Sequence, residues 1–175
     1  MSTYSTAPAG TVPAKKPGTL MAAIVLAVVS GAAAIANGAM MLAGGAQLAK
    51  DLVVQGVADL AGVTVDQAKD LGGSFLETEL NQIESTVHTR AYLVIFAGAV
   101  MLLFGLAMGK AATWARVMVT IGAVLTLGAS AIVALDVATS LMKGLGWAAA
   151  LGAIVTIVVT WLGPNGRYAK VVKKG

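Results

Sequence analysis

An all-α fold is predicted: a four-helix transmembrane bundle with a helical extracytoplasmic extension between its first and second spans. Three observations predict it. Of 175 residues, 58% are hydrophobic and 11% charged, against about 25% charged in soluble domains. The 12 Lys/Arg and 8 Asp/Glu are clustered and leave uncharged windows at 17–49, 91–109, 117–135 and 144–166. A helix crosses the ~30 Å hydrocarbon core with roughly 20 apolar residues, and each window supplies that. The third observation is segment 50–90, which is too long for a turn and is patterned. A soluble globule and a disordered chain are both excluded. The absence of cysteine removes disulfides, thiolate metal sites and thiol catalysis.

The elements follow in order. Residues 1–18 carry Pro8, Pro13 and Pro17 among Ser, Thr, Ala and Gly and read as a disordered cytoplasmic tail. Lys15 and Lys16 precede an apolar run from Leu20 to Ala43. That run exceeds the roughly 7–15-residue core of a signal peptide, so 19–49 reads as a retained first span. The second span is 91–109, the third 112–135 and the fourth 145–162. Residues 163–175 read as a basic cytoplasmic tail.

Segment 50–90 reads as helical. Leu48, Leu52, Val53, Val57 and Leu60 keep one apolar face, while Asp51, Gln55 and Asp59 recur on another. Gly62 is a stop signal. Thr64-Val65-Asp66-Gln67 matches the capping box, in which hydroxyl and amide satisfy free backbone N–H groups reciprocally. The helix it starts is expected to be short and to end at Gly72-Gly73. Ser74-Phe75-Leu76-Glu77 is a second box. After it Leu76, Leu80, Ile83 and Val87 keep helical spacing into the second span. The segment holds seven of the eight acids. Glu77 and Glu84, seven residues apart and so on one side of a helix, are candidate partner-binding residues.

With four spans both termini share one side, and Lys15, Lys16, Lys110, Arg116, Arg167, Lys170, Lys173 and Lys174 lie there. Lys50, Lys69, Arg90 and Lys143 lie on the other. Positive charge concentrates in the cytoplasm, so both termini are expected inside a plasma membrane. This orientation accounts for the net charge of +4 without a nucleic-acid partner.

Glycines mark the expected packing. Gly31, Gly38 and Gly45 recur every seven residues in the first span, and Ala91, Gly98 and Gly105 in the second. Helices in lipid associate through close backbone approach at small residues. A seven-residue repeat keeps such a seam on one face. Gly109 extends the second stripe as Gly105-x-x-x-Gly109, and Gly38 is expected to face Gly98.

Polar residues carry little chemistry. Asn37, near mid-span, reads as an interhelical hydrogen bond. Asp136 falls about 30 Å of helix from Arg116 and reads as interfacial. His88, the one histidine, lacks an orienting partner. The acidic segment has oxygen ligands suited to Ca²⁺ but not EF-hand spacing. There is no Walker sequence, no HExxH and no GxSxG. No catalytic residue, metal or cofactor is therefore expected, and the chain is expected not to be an enzyme.

Four residue groups stand together: Lys15-Lys16 before the first span, Lys110 with Trp114-Ala115-Arg116 opening the third, Trp161-Leu162-Gly163-Pro164 leaving the fourth, and Asn165-Gly166-Arg167-Tyr168 before the basic end. The pattern resembles small four-span membrane proteins of high-GC Gram-positive bacteria, most of unknown function. Their heavy Ala, Gly and Val usage is similar. The resemblance implies a tetraspan protein of the plasma membrane and supplies no catalytic residues.

The functional expectation is an accessory or scaffold protein in the lipid bilayer that presents its acidic helical module to a protein partner or to a second copy. The alternative is a small transporter or channel component acting as an oligomer. An enzyme acting on lipid would need clustered polar residues at one interface, and none stand out.

Overall fold

The computed structural model describes residues 15–110, 113–135 and 138–172, apart from the side chains of 71–81 and of Lys110. Its described residues form helices and no strand: α1 (Gly18–Ala61), α2 (Val65–Ala107), a 3-10 turn (Met108–Lys110), α3 (Thr113–Leu135), α4 (Ser140–Thr160) and α5 (Gly163–Val172). The Asp136 reading lies outside the described residues.

Helix α1 runs 44 residues because nothing after Pro17 stops it until Gly62, whose φ of 65° is left-handed. The Gly62 N–H donates to the Ala58 carbonyl and closes the helix end. Inside α1, Gly45 takes φ 46° and ψ −138°, a conformation open only to glycine, and the helix kinks there. Two residues past Gly62, the Thr64 hydroxyl accepts the Gln67 N–H and the Gln67 side chain accepts the Thr64 N–H. The capping box starts α2, which then runs unbroken for 43 residues.

That continuity corrects one expectation. Gly72 and Gly73 do not end a short helix, and Ser74 does not start another. A glycine in a helix costs about 1 kcal/mol relative to alanine, and each turn of α2 that packs on α1 offsets it. The apolar face of the extension is corrected only at its tip. Leu48 and Leu52 pack against the bundle core, and Val57 packs with Val63 against a small hairpin core of Val54, Ala58 and Ala68. Leu60 instead stands 92% exposed at the tip.

The chain travels round a ring. Helix α1 packs on α2 and α4, α3 packs on α2 and α4, and α1 and α3 barely touch across the diagonal. The near end of the bundle, where α1 starts and α4 stops, is closed by aromatic and apolar contacts. Phe104 and Trp114 meet edge to face at 5.9 Å across the α2–α3 turn. Leu20, Met101, Met108 and Val119 fill the core there.

The distribution of side chains is inverted relative to a soluble protein. Ala23, Ala27, Ala34, Ala91, Ala97, Ala115, Ala123, Ala149 and Ala153 are buried. Val25, Val29, Phe96, Leu103, Ile121, Val124, Leu151 and Val158 are exposed around the perimeter. Soluble monomers rarely leave so large an apolar belt in water. Lipid tails solvate it, while small residues inside let the helices approach. Four helices are long and apolar enough to cross a membrane: Gly18–Ala61, Gln82–Ala107, Thr113–Leu135 and Ser140–Thr160. The chain is thus a multi-pass, all-α membrane protein.

The basic end also differs from expectation. Residues 163–172 form α5, with Pro164 in the first turn, where its missing N–H costs nothing. Asn165 is fully buried and pins the helix. Its amide donates to the Val159 carbonyl at 2.8 Å, and its Oδ1 accepts the Thr19 hydroxyl at 2.7 Å.

Candidate functional site

Two regions position side chains that the sequence singled out: the α1–α2 seam and the hairpin beyond it. In the seam, a Cβ added to Gly31 would lie 2.7 Å from the Gly98 carbonyl oxygen, and one on Gly98 equally close to the Gly31 carbonyl. A Cβ on Gly38 would meet the Ala91 carbonyl oxygen at 2.8 Å and Ile95 at 2.5 Å. One on Gly105 would meet Ala27 at 2.8 Å. At Gly31, Gly38 and Gly98 the partner helix's backbone itself is too close for any side chain, and at Gly105 the Ala27 methyl is.

The register corrects the expected pairing. Gly31, not Gly38, faces Gly98, and Gly38 faces Ala91. In an antiparallel pair opposed residues run in reverse order, so both repeats meet with one heptad of offset. Gly45 and Gly109 are not in the seam, and neither has an atom within 4 Å of an added Cβ. Gly45 is the kink, and Gly109 lies in the 3-10 turn beyond α2.

Three close contacts were not anticipated. Gly122 rests on the Met101 backbone, Gly146 on the Ser130 carbonyl, and Gly152 directly on the Ser30 hydroxyl. Gly122 lies in a heptad stripe of small buried residues with Ala115 and Ala129, and Gly146 is followed seven residues on by the buried Ala153. That spacing was the available signal for these two, whereas Gly152 is a single approach.

Asn37 is fully buried, and its amide donates to the Met142 carbonyl at 3.2 Å. This ties α1 to α4 across the bundle. Its Oδ1 has no partner, and neither do the buried hydroxyls of Thr126, Ser130 and Thr160 or the Nε of Arg116. His88 is half-buried on α2. Among the described residues no three of His, Cys, Asp or Glu gather as metal ligands.

Beyond the kink, α1 and α2 continue as a hairpin. Its surface is acidic: Asp51 accepts the Gln47 amide at 3.1 Å, and Asp66 faces Lys69 at 3.5 Å. Both are exposed local contacts of small energetic weight. Asp51, Val54, Gln55, Val65 and Lys69 line a depression between the two arms. Leu60 and Val65 are exposed at the tip beside Asp59 and Asp66. Of the two candidate partner-binding residues, Glu84 is half-buried on α2. The Glu77 side chain lies outside the described residues.

Comparison with protein-family models, with curated proteins and with solved structures finds no match to this chain.

Proposed function

We propose that the chain is an accessory or scaffold protein of the plasma membrane, and that its hairpin is the surface it offers a partner outside the cell. One observation carries this. Helices α1 and α2 have 44 and 43 residues, whereas α3 and α4 have 23 and 21. Spanning needs only the shorter length. The surplus is folded, capped and given its own core, and it ends in an apolar tip ringed by acids. The orientation rests on the eight-to-four distribution of Lys and Arg, which favours the hairpin outside. The acids of 50–90 favour a partner with a basic face.

The test is charge reversal. Glu77→Lys with Glu84→Lys is expected to abolish copurification of partner chains in mild detergent while leaving the protein's own yield intact. Copurifying chains that stay bound after the reversal would reduce the acidic face to a solvated one.

A second reading, a transporter or channel component acting as an oligomer, draws on the unpartnered Oδ1 of Asn37 and hydroxyls of Thr126 and Ser130 inside the bundle. Against it, the surrounding interior is closely packed alanine. Flux through proteoliposomes that is lost in Asn37→Ala would favour this reading.

A further inference from the structure

We propose that the near end of the bundle binds the phosphate of an anionic phospholipid, gripped by Arg116 and backed by Trp161. The inference is independent of the hairpin and of which side the termini occupy.

It starts from a charge without a counter-charge. Arg116 sits in the first turn of α3 and is only 6% exposed. Its Nε is buried without an acceptor. Seven of the eight acids lie between Asp51 and Glu84, and the eighth, Asp136, follows the opposite end of α3. From Arg116 to its last residue, Leu135, helix α3 runs about 28 Å. No acidic side chain of the described bundle therefore reaches the guanidinium. A buried cation without a partner is costly, so the anion is supplied from outside.

The surroundings indicate which anion. The Arg116 Cζ lies 5.6 Å from the centroid of the Trp161 ring. The Trp161 indole N–H donates to the Thr120 hydroxyl at 2.9 Å, and that hydroxyl donates to the Arg116 carbonyl at 2.9 Å. The guanidinium is thus held against an aromatic face by a ring whose own orientation is fixed.

Trp114 and Trp161 are both about half exposed at this end, and such rings settle at headgroup depth. The phosphates present at that depth belong to lipids. A planar guanidinium suits a phosphate because its N–H fork matches two oxygens at once. Helix α5, anchored by Asn165, packs Tyr168 and Ala169 against the core and leaves Arg167 and Lys170 exposed. These two cations raise the local anion concentration without being the grip.

Native mass spectrometry of the full chain in mild detergent tests the proposal, with phosphatidylglycerol, phosphatidylcholine and inorganic phosphate as probes. The wild-type chain is expected to retain phosphatidylglycerol over phosphatidylcholine by about tenfold, the scale of one charge-assisted contact. Arg116→Gln should bring the two lipids to near parity. Arg167→Gln with Lys170→Gln should leave the preference within about twofold, since exposed charges contribute little.

Equal retention of both lipids by the wild type overturns the proposal, and so does an undiminished preference in Arg116→Gln. Loss of preference in the double variant alone assigns it to diffuse surface charge, and displacement of the lipid by millimolar inorganic phosphate assigns the site to free phosphate. Either result overturns it. If Arg116→Gln does not fold, Arg116→Met decides. It keeps the apolar stem and removes the charge that separates the two lipids, so an unchanged preference is again fatal.

Discussion

At the scale of single residues, the bundle depends on what is missing from its side chains. Gly31 and Gly98 bring two backbones to a distance that excludes even a methyl group, and Gly38 does the same against Ala91 and Ile95. Gly31→Leu or Gly38→Leu must push the helices apart. Overpacking of this kind costs about 1–3 kcal/mol, and more where backbone rather than a side-chain end must yield. Val29, on the same helix but 60% exposed, should accept leucine without effect. Thermal unfolding in detergent should therefore show both glycine variants lowered and Val29→Leu unchanged; equal tolerance of all three would remove the seam. Four glycines of this seam were legible because a heptad repeat is a visible pattern. Gly45 and Gly109 were misassigned because spacing alone does not reveal where a helix kinks or tightens into a 3-10 turn. Gly122 and Gly146 stand at heptad spacing from alanines, Ala115 and Ala129 for the first and Ala153 for the second, which a chain rich in alanine does not set apart; Gly152 left no repeat to find. Arg116 was legible as a charge at a helix start, but its burial depends on Trp161, 45 positions later in the chain.

At the scale of elements, the ends of helices were better encoded than their interiors. Gly62 and the Thr64–Gln67 box fixed the hairpin turn, because caps satisfy backbone groups locally and so are written locally. Gly72-Gly73 carried the same local signal for a stop, yet α2 passes through it. Tertiary packing along α1 outweighs the propensity of two residues. Helix α5 was hidden by its polar, proline-containing sequence and is held by the buried contacts of Asn165 rather than by periodicity. Opposite substitutions should separate these effects. Thr64→Ala should cost the hairpin about 1 kcal/mol, whereas Gly72→Ala with Gly73→Ala should stabilise it by up to about 2 kcal/mol. Amide hydrogen exchange over 65–80 reports both changes, faster in the first variant and slower in the second. Faster exchange in the alanine pair would mean that α2 is interrupted there after all.

At the scale of the whole molecule, one chain builds two environments. The bundle exposes apolar side chains and buries alanine, glycine, serine and threonine, as lipid solvation requires. The hairpin does the reverse: it buries Val54, Ala58 and Ala68 and exposes Asp51, Asp59 and Asp66. The change falls at Gly45, from which about 16 residues of α1 carry the tip roughly 25 Å onward. A chain with this division has only two orientations in a membrane, and positive charge selects between them. The absence of cysteine lets a single introduced thiol report on its own. Leu60→Cys places one at the exposed tip, and Val171→Cys places one on the exposed side of α5. Neither position touches the seam, so both variants should fold. An impermeant thiol reagent added to intact cells should label Leu60→Cys at once and Val171→Cys only after permeabilisation. The opposite pattern would put the hairpin in the cytoplasm. The acidic surface would then meet cytoplasmic partners, and the proposed role outside the cell would fail even though every helix stayed where it is.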